Sequence, residues 1–502
     1  MSAHPSPIHV RFAGSFEFDE YERVLTRDGE RIALSNTQID LLTLFLRKPG
    51  SLIRHEEIRK VLWPNRASGD DEAMRVGIYR FQKRLRGNDA TEFLKSEPGV
   101  GYRFLPEVEP VAKPPSPSAE QALIQCKDYF QLATLETIKV AIDNSIGPHW
   151  QARRGFAHRQ VRELYQVSLR ISNELGLDRQ VSLRGLWLCY LIGADYRTAL
   201  PIAHDLQENA ATGIDSALAA GCVGLTLFYI ANFQESLSQL RNSGISNLWQ
   251  QYPDRSEWIG NWGHVALAAF ILGRWNESEE AILKCLQEGR EQGDVGMAHA
   301  LLFDTHLAYF RGDADAVSAK CNLVLESSSD FGFYHGFARV YRGWTLSHSG
   351  QRQAAIADIT NGKAEFRATH SELAFTMILG IEADALANLG LHCEGLSVVA
   401  EALSMADRRE EDFYKPELLR IQARLHQLAG TTAESERCLL EAIQIATSQF
   451  AMTWLLRCVT SLHALRPTVQ NESRLRDVVT QWPDGSESTA LSDALTQLGG
   501  SA

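Results

Sequence analysis

Along most of this chain, apolar residues recur three and four positions apart, the spacing that gathers them on one side of a helix. Ala281, Ile282, Cys285 and Leu286 follow it, as do Cys438, Leu439, Ala442, Ile443 and Ala446. Short turns punctuate these runs: Gly193-Ala194-Asp195-Tyr196, Ala231-Asn232-Phe233, Gly273-Arg274-Trp275, Gly312-Asp313-Ala314, Gly350-Gln351-Arg352, Gly390-Leu391-His392 and Gly430-Thr431-Thr432. They are spaced 38, 42, 39, 38, 40 and 40 residues apart. A period near 40 with helices on both sides of each turn predicts stacked helix pairs, each burying its apolar face against its neighbours. Residues 120–500 are therefore expected to form an α-solenoid whose unit is longer than the tetratricopeptide repeat of about 34 residues.

The first hundred residues read differently. Ile8–Arg11, Phe16–Phe18 and Arg31–Leu34 are short strand-like pieces, and Asp28-Gly29 is a hairpin turn. Ser35-Asn36-Thr37-Gln38 is a capping box that opens a helix through Leu41, Leu42, Phe45 and Leu46, stopped at Pro49-Gly50. A second helix carries Ile58, Val61 and Leu62 on one face and ends at Trp63-Pro64. A third is expected over 71–86, with Met74, Ile78, Phe81 and Leu85 facing the core. Phe93–Phe104 then reads as two strands joined by Pro98-Gly99.

Composition divides the chain at the same place. Five prolines (106, 110, 114, 115 and 117) fall within 105–120, a density that predicts an extended spacer over 106–119 between domains at 8–105 and 120–500. The 502 residues are 44% hydrophobic and 22% charged, the balance of a globular protein rather than a disordered one. Net charge is −12, which excludes a globally basic nucleic-acid binder. Residues 1–105 nevertheless hold 17 Lys/Arg against 15 Asp/Glu, leaving 33 against 47 in the remainder: a basic head on an acidic body. The eight cysteines are scattered without a C-x-x-C pair, as expected of small core residues in a reducing compartment. The N-terminus has neither the basic nor the apolar part of a signal peptide. Ser216–Gln234 is uncharged for 19 residues but is diluted by Ser, Gly, Thr and Asn, so a buried helix is expected there and a cytoplasmic location overall.

The third helix carries the chemistry. Opposite its apolar side lie Val76, Tyr79, Arg80 and Lys83, flanked by Arg75 and Arg86. A cationic face of this kind suits the DNA major groove, where Arg grips guanine O6 and N7 through two hydrogen bonds. Strands, three helices and a closing hairpin that ends Gly101-Tyr102-Arg103-Phe104 resemble the winged-helix domain of OmpR/PhoB-type bacterial regulators. The resemblance spans residues 8–105. It implies that the third helix enters the major groove of double-stranded promoter DNA with Arg80 as the principal base reader. Arg103, with Lys95 beside it in the wing, would reach the minor groove, and Arg75, Val76, Tyr79, Lys83 and Arg86 would meet groove or phosphate. Two positions depart from the family pattern. Phe81-Gln82 replaces the usual Leu-Arg, and Gly77 stands where a larger polar residue is common, so target sequence and affinity do not carry over.

The tail is similar to the tetratricopeptide-like arrays of larger bacterial regulators, through Gly185-Leu186-Trp187, Gly343-Trp344-Thr345-Leu346 and Trp482-Pro483-Asp484-Gly485. The ATPase that such regulators carry, and a receiver domain, are not expected here. The aromatics Trp258, Trp262, Trp275, Tyr334, Tyr341 and Trp344 read either as packing between repeats or as a surface for an effector or partner in the middle of the solenoid's concave face. Arg153, Arg154, Arg159 and Arg162 form a basic cluster, read as a solvated helix face or an anion contact. With no phosphate-binding loop, H-E-x-x-H or clustered His and Cys, no enzymatic activity, cofactor or metal is expected.

These resemblances imply a mainly α, one-component bacterial transcription regulator, expected to fold as an α+β winged helix-turn-helix domain followed by a TPR-like solenoid. RNA polymerase or another protein is the expected partner of the repeats, a small effector is a further candidate ligand, and a homodimer on DNA is expected from paired half-sites. No membrane contact is expected. The competing reading is an interaction scaffold whose head no longer binds DNA, suggested by Gly77 and Gln82.

Overall fold

The computed structural model describes residues 9–19, 24–32, 34, 36–62, 71–86, 93–97, 99–110, 135–147, 151, 155–244, 256–326, 332–482 and 489–499. The protein divides into two compact units, residues 1–129 and 130–502. Ser35, Trp63-Pro64, Pro98, most of the proline-rich stretch, Cys126, Arg153, Arg154 and Pro483-Asp484-Gly485 lie outside the described residues.

In the N-terminal unit β1 (His9–Phe12), β2 (Phe16–Asp19), β3 (Val24–Arg27) and β4 (Glu30–Ile32) form an antiparallel meander. A last strand, β8 (Val108–Pro110), adds to the free edge of β1 with Phe12 opposite Val108. These residues read as spacer in the sequence; Pro110 is compatible with pairing because an edge strand tolerates a missing N–H. After β4 the chain runs through α1 (Asn36–Leu46), β5 (Leu52–Arg54), α2 (His55–Leu62), α3 (Asp71–Arg86), β6 (Leu94–Glu97) and β7 (Gly101–Phe104). The second sheet has the order β5-β7-β6. Alternating positions of both sheets and one side of each helix meet in a core of Phe12, Phe18, Phe45, Phe81, Phe93 and Phe104, all almost without exposure.

The second unit opens with α4 (Leu135–Ala141), continued by a π-helical turn at Ile142–Ile146. Lys139 and Asp143 form a buried pair there at 2.6 Å, and the Ser168 hydroxyl donates to Asp143 at 2.6 Å. After α5 (Arg159–Leu175) come seven helix pairs. They are α6 (Gln180–Ile192) with α7 (Tyr196–Glu208), α8 (Gly213–Tyr229) with α9 (Phe233–Gly244), α10 (Ser256–Ile271) with α11 (Trp275–Glu291), and α12 (Gly293–Arg311) with α13 (Ala314–Glu326). Then follow α14 (Gly332–His348) with α15 (Arg352–Ala368), α16 (Phe375–Asn388) with α17 (His392–Arg409), and α18 (Lys415–Leu428) with α19 (Thr432–Ser448). Helices α20 (Met452–Leu465), α21 (Val469–Thr480) and α22 (Thr489–Gln497) complete the array. The fold is a mainly α one, a small winged helix followed by an α-solenoid.

All seven turns recognised from sequence fall between the two helices of a pair. Five place a glycine at φ between +71° and +78°, and the first two use Ala194 and Ala231 at +54° and +65°. A glycine takes that left-handed conformation without the steric cost a side chain brings, so it recurs as the helix terminator. The uncharged stretch Ser216–Gln234 covers most of buried α8 and the turn after it. No helix among the described residues is long and apolar enough to cross a membrane. Six of the seven described cysteines are buried; Cys393 is exposed.

The solenoid coils back on itself. Glu372 N donates to Ile192 O at 2.9 Å and Phe413 N to Tyr229 O at 3.2 Å. The Trp275 indole N–H donates to Thr453 Oγ1 at 3.0 Å, 178 residues later, and Arg457 to Phe310 O at 3.0 Å. The ends of the first four pairs thus seal against later loops and against α20, with Phe228, Phe310, Phe413, Tyr414 and Trp454 buried between. Of the two readings of the aromatics, the surface on the concave face is corrected: Trp258, Trp275, Tyr341 and Trp344 are buried core residues, and Trp262 and Tyr334 pack partly buried against them. Large rings at helical spacing fill the space between repeats, and the Trp344 N–H is occupied by Asp384 at 2.8 Å.

Candidate nucleic-acid interface

Helix α3 forms because Met74, Ile78, Phe81 and Leu85 recur at helical spacing, each at most 2% exposed. Lys83, Arg84 and Arg86 in its last turn complement the negative end of the helix dipole. Phe81 stacks on Phe45 of α1 with ring centres 6.4 Å apart, fixing the rotation of α3 about its axis. That rotation turns Arg75, Val76, Tyr79, Arg80 and Lys83 to solvent, whereas Arg86 is half-buried. Tyr79 is 63% exposed and Val76 43%, too much for residues with a packing role. Gly77 faces α2, where a Cβ would sit 3.4 Å from Leu62 Cδ1, an ordinary contact.

The wing is fastened to this helix. Gln82, legible in the sequence only as a lost cation, donates from Nε2 to Leu94 O at 2.8 Å and ties α3 to the start of β6. At the wing tip Gly99 adopts φ +75°, and the His55 N–H of α2 donates to Val100 O at 3.1 Å. Gly101 is required by close approach: a Cβ there would lie 2.0 Å from Ile53 O of β5. Tyr102 and Phe104 alternate into the core, which turns Arg103 outward. Arg103 sits directly opposite Lys95 in the β6–β7 ladder. Like charges paired across strands destabilise a sheet, so this pair stands against packing interest. In the free protein Arg103 donates from Nη1 to Gly50 O at 2.6 Å, and its Nε lies 3.9 Å from Glu97.

Elsewhere on the unit, several cations are matched. Arg11 binds Glu17, Lys60 binds Glu56 and Lys48 binds Glu57; these hydrogen bonds hold the three carboxyls below the usual range. Among the described residues no carboxylate pairs with Arg75, Arg80, Lys83 or Lys95. These four unmatched cations lie on one face of α3 and on the wing, an arrangement suited to a polyanion. Of the basic cluster in the repeats, Arg159 pairs with Glu163 at 3.5 Å and Arg162 stacks over Tyr190. No group of three or more His, Cys, Asp or Glu among the described residues is arranged to hold a metal ion.

Residues 29–104 match the family model described as "Transcriptional regulatory protein, C terminal". They are an OmpR/PhoB-type domain. The OmpR/PhoB-type region is 26% identical over 94 residues to the transcriptional regulatory protein AfsQ1 of Streptomyces coelicolor, covering 18% of this chain and 42% of that protein. It is 29% identical over 84 residues to the transcriptional regulatory protein CusR of Escherichia coli, covering 17% and 37%. The chain therefore spans only about two-fifths of the length of these curated relatives. Among solved structures it is similar to the DNA-binding domain of E. coli CadC, at 23% identity and a TM-score of 0.19, over 21% of this chain and 99% of that one.

Proposed function

We propose that this chain is a one-component transcription regulator of the bacterial cytoplasm, whose OmpR/PhoB-type domain reads double-stranded promoter DNA through α3. The carrying observation is the set of cations on the exposed face of α3 and on the wing that no carboxylate among the described residues neutralises. Arg80, central on that face, is the base reader. Arg75 and Lys83 grip phosphates on either side of the groove, Tyr79 and Val76 line it, and Arg86 supports the end of the helix. Lys95 and Arg103 meet the adjacent backbone and minor groove, with Arg103 exchanging its hold on Gly50 O for the nucleic acid. The repeats receive a protein partner such as RNA polymerase, or an effector, and the chain performs no catalysis. It acts on paired half-sites as a homodimer.

Phosphate contact makes the binding steeply salt-dependent. Each neutralised phosphate contributes about −0.9 to the slope of log K against log salt, so the three phosphate contacts by Arg75, Lys83 and Lys95 give about −2.7 per protomer. An anisotropy titration on duplex DNA at several salt concentrations reads this slope. The Lys83→Ala variant is expected to lower its magnitude by about 1. A salt-independent affinity, or a slope unchanged by Lys83→Ala and Lys95→Ala together, would overturn the assignment.

A further inference from the structure

We propose that Val76 and Tyr79 of α3 read the C5 methyl group of thymine, which makes that base part of the site this chain selects. This deepens the proposed DNA reading, on which it rests, by adding an apolar contact to the guanine contact of Arg80. Four large apolar side chains are exposed among the described residues of the N-terminal unit: Val76, Tyr79, Val100 and Leu105. Val76 and Tyr79 stand three positions apart on α3, and neither packs against the core of the unit. Valine and tyrosine are poorer helix formers than the Lys and Arg around them, and their apolar surface gains nothing from water. On an otherwise cationic face this pair is explained by a partner, not by the fold.

At about 100° per residue, Val76 points almost directly away from the buried side formed by Met74, Ile78, Phe81 and Leu85, with Tyr79 and Arg80 on either side of it. The centre of such a face meets base edges when the helix lies in the major groove. There the C5 methyl of thymine is the apolar group on offer, and apolar side chains meet it. Val76 and Arg80 are separated by about 6 Å along the helix axis. Stacked bases are about 3.4 Å apart, so the thymine under Val76 lies within about two steps of the guanine under Arg80. Tyr79 lies about 4.5 Å from Val76 along the axis and carries the apolar strip across the neighbouring step. Cytosine presents an amino donor and no methyl, and uracil keeps the O4 acceptor of thymine without its methyl, so neither covers this surface.

The test uses the full chain and the duplex motif it enriches from random DNA, with each thymine replaced in turn by deoxyuridine, which pairs identically and lacks only the methyl group. Anisotropy titrations should show at least one thymine, near the guanine whose selection Arg80→Ala relaxes, where loss of the methyl weakens binding about fourfold, the value of one buried methyl-sized group. A double variant, Val76→Ser with Tyr79→Ser, should bind the thymine and deoxyuridine duplexes equally. Both substitutions fall at exposed positions, where such changes leave the fold intact, and an unchanged thermal melt verifies this. A motif without thymine near that guanine, deoxyuridine without effect at every position, or an effect that persists in the double variant would overturn the methyl contact and leave the DNA assignment standing. No motif enriched by the parent at low salt overturns both.

Discussion

Replacing Glu411 by Gln should stabilise the repeat unit at high pH and do little at low pH. Glu411 sits without exposed surface in the loop between α17 and α18, at the seam where the first helix pair meets the sixth. Its Oε2 accepts the Tyr196 hydroxyl at 3.1 Å, its Oε1 accepts the Thr376 hydroxyl, and Arg409 is drawn off to Glu372 at 2.8 Å. Burial outweighs these hydrogen bonds and pushes the carboxyl from 4.5 up to about 7. Between those values the folded chain holds a proton that the unfolded chain has released, so stability falls as pH rises through that window and stays lower above it. A displacement of that size is worth about 3 kcal/mol when complete. The glutamine is neutral throughout. The difference in unfolding free energy between variant and parent should therefore grow from near zero at about pH 4.5 to about 3 kcal/mol by about pH 8. Buried His264 and His306, pushed by burial down to about 4 and about 3, work in the opposite sense. They lower stability as pH drops below about 6.5, and they cancel in the difference. Urea unfolding followed by far-ultraviolet circular dichroism at several pH values reads it. A difference that is flat with pH, or that shrinks as pH rises, would refute the assignment of a protonated acid to the seam.

Other consequences follow from single contacts. Asp143→Ala strands Lys139 in a site with almost no exposure and should cost about 3–5 kcal/mol, measured as a lower denaturation midpoint of the full chain. Gly101→Ala forces a methyl group against Ile53 O and should destabilise the winged helix by about 3 kcal/mol, whereas Gly77→Ala meets Leu62 at an ordinary distance and should stabilise it by up to about 1 kcal/mol. Thermal melts of the two variants should thus shift in opposite directions. Gln82→Ala frees Leu94 O and loosens the base of the wing, read as faster amide exchange in β6 with a helix content unchanged.

Where a residue's chemistry is dictated by one local rule, the sequence was readable. The 3.6-residue period placed α3 and its buried side, and glycines at left-handed positions marked the turn inside five of the seven helix pairs. Three of the opposite turns went unread because His370, Glu410 and Phe450 occupy the same left-handed conformation at the same 40-residue interval with no glycine to mark it. Strands β5 and β8 are three residues each, too short for alternation to register. Coiling of the solenoid rests on contacts between residues as much as 184 positions apart, and no local pattern encodes it; this is why the aromatics could be read as a surface when four of the six are core and two are partly buried. At the candidate interface, types and faces were legible, but the anchoring of Arg103 on Gly50 O and of Gln82 on Leu94 O depends on strand register.

The most direct test of DNA reading by α3 is selection of binding sites from random duplexes by the full chain and by its Arg80→Ala variant in parallel. A defined motif is expected from the parent, with one position relaxed in the variant by about 1–3 kcal/mol of discrimination. Failure of the parent to enrich any motif at low salt, or an identical motif from the variant, would contradict it.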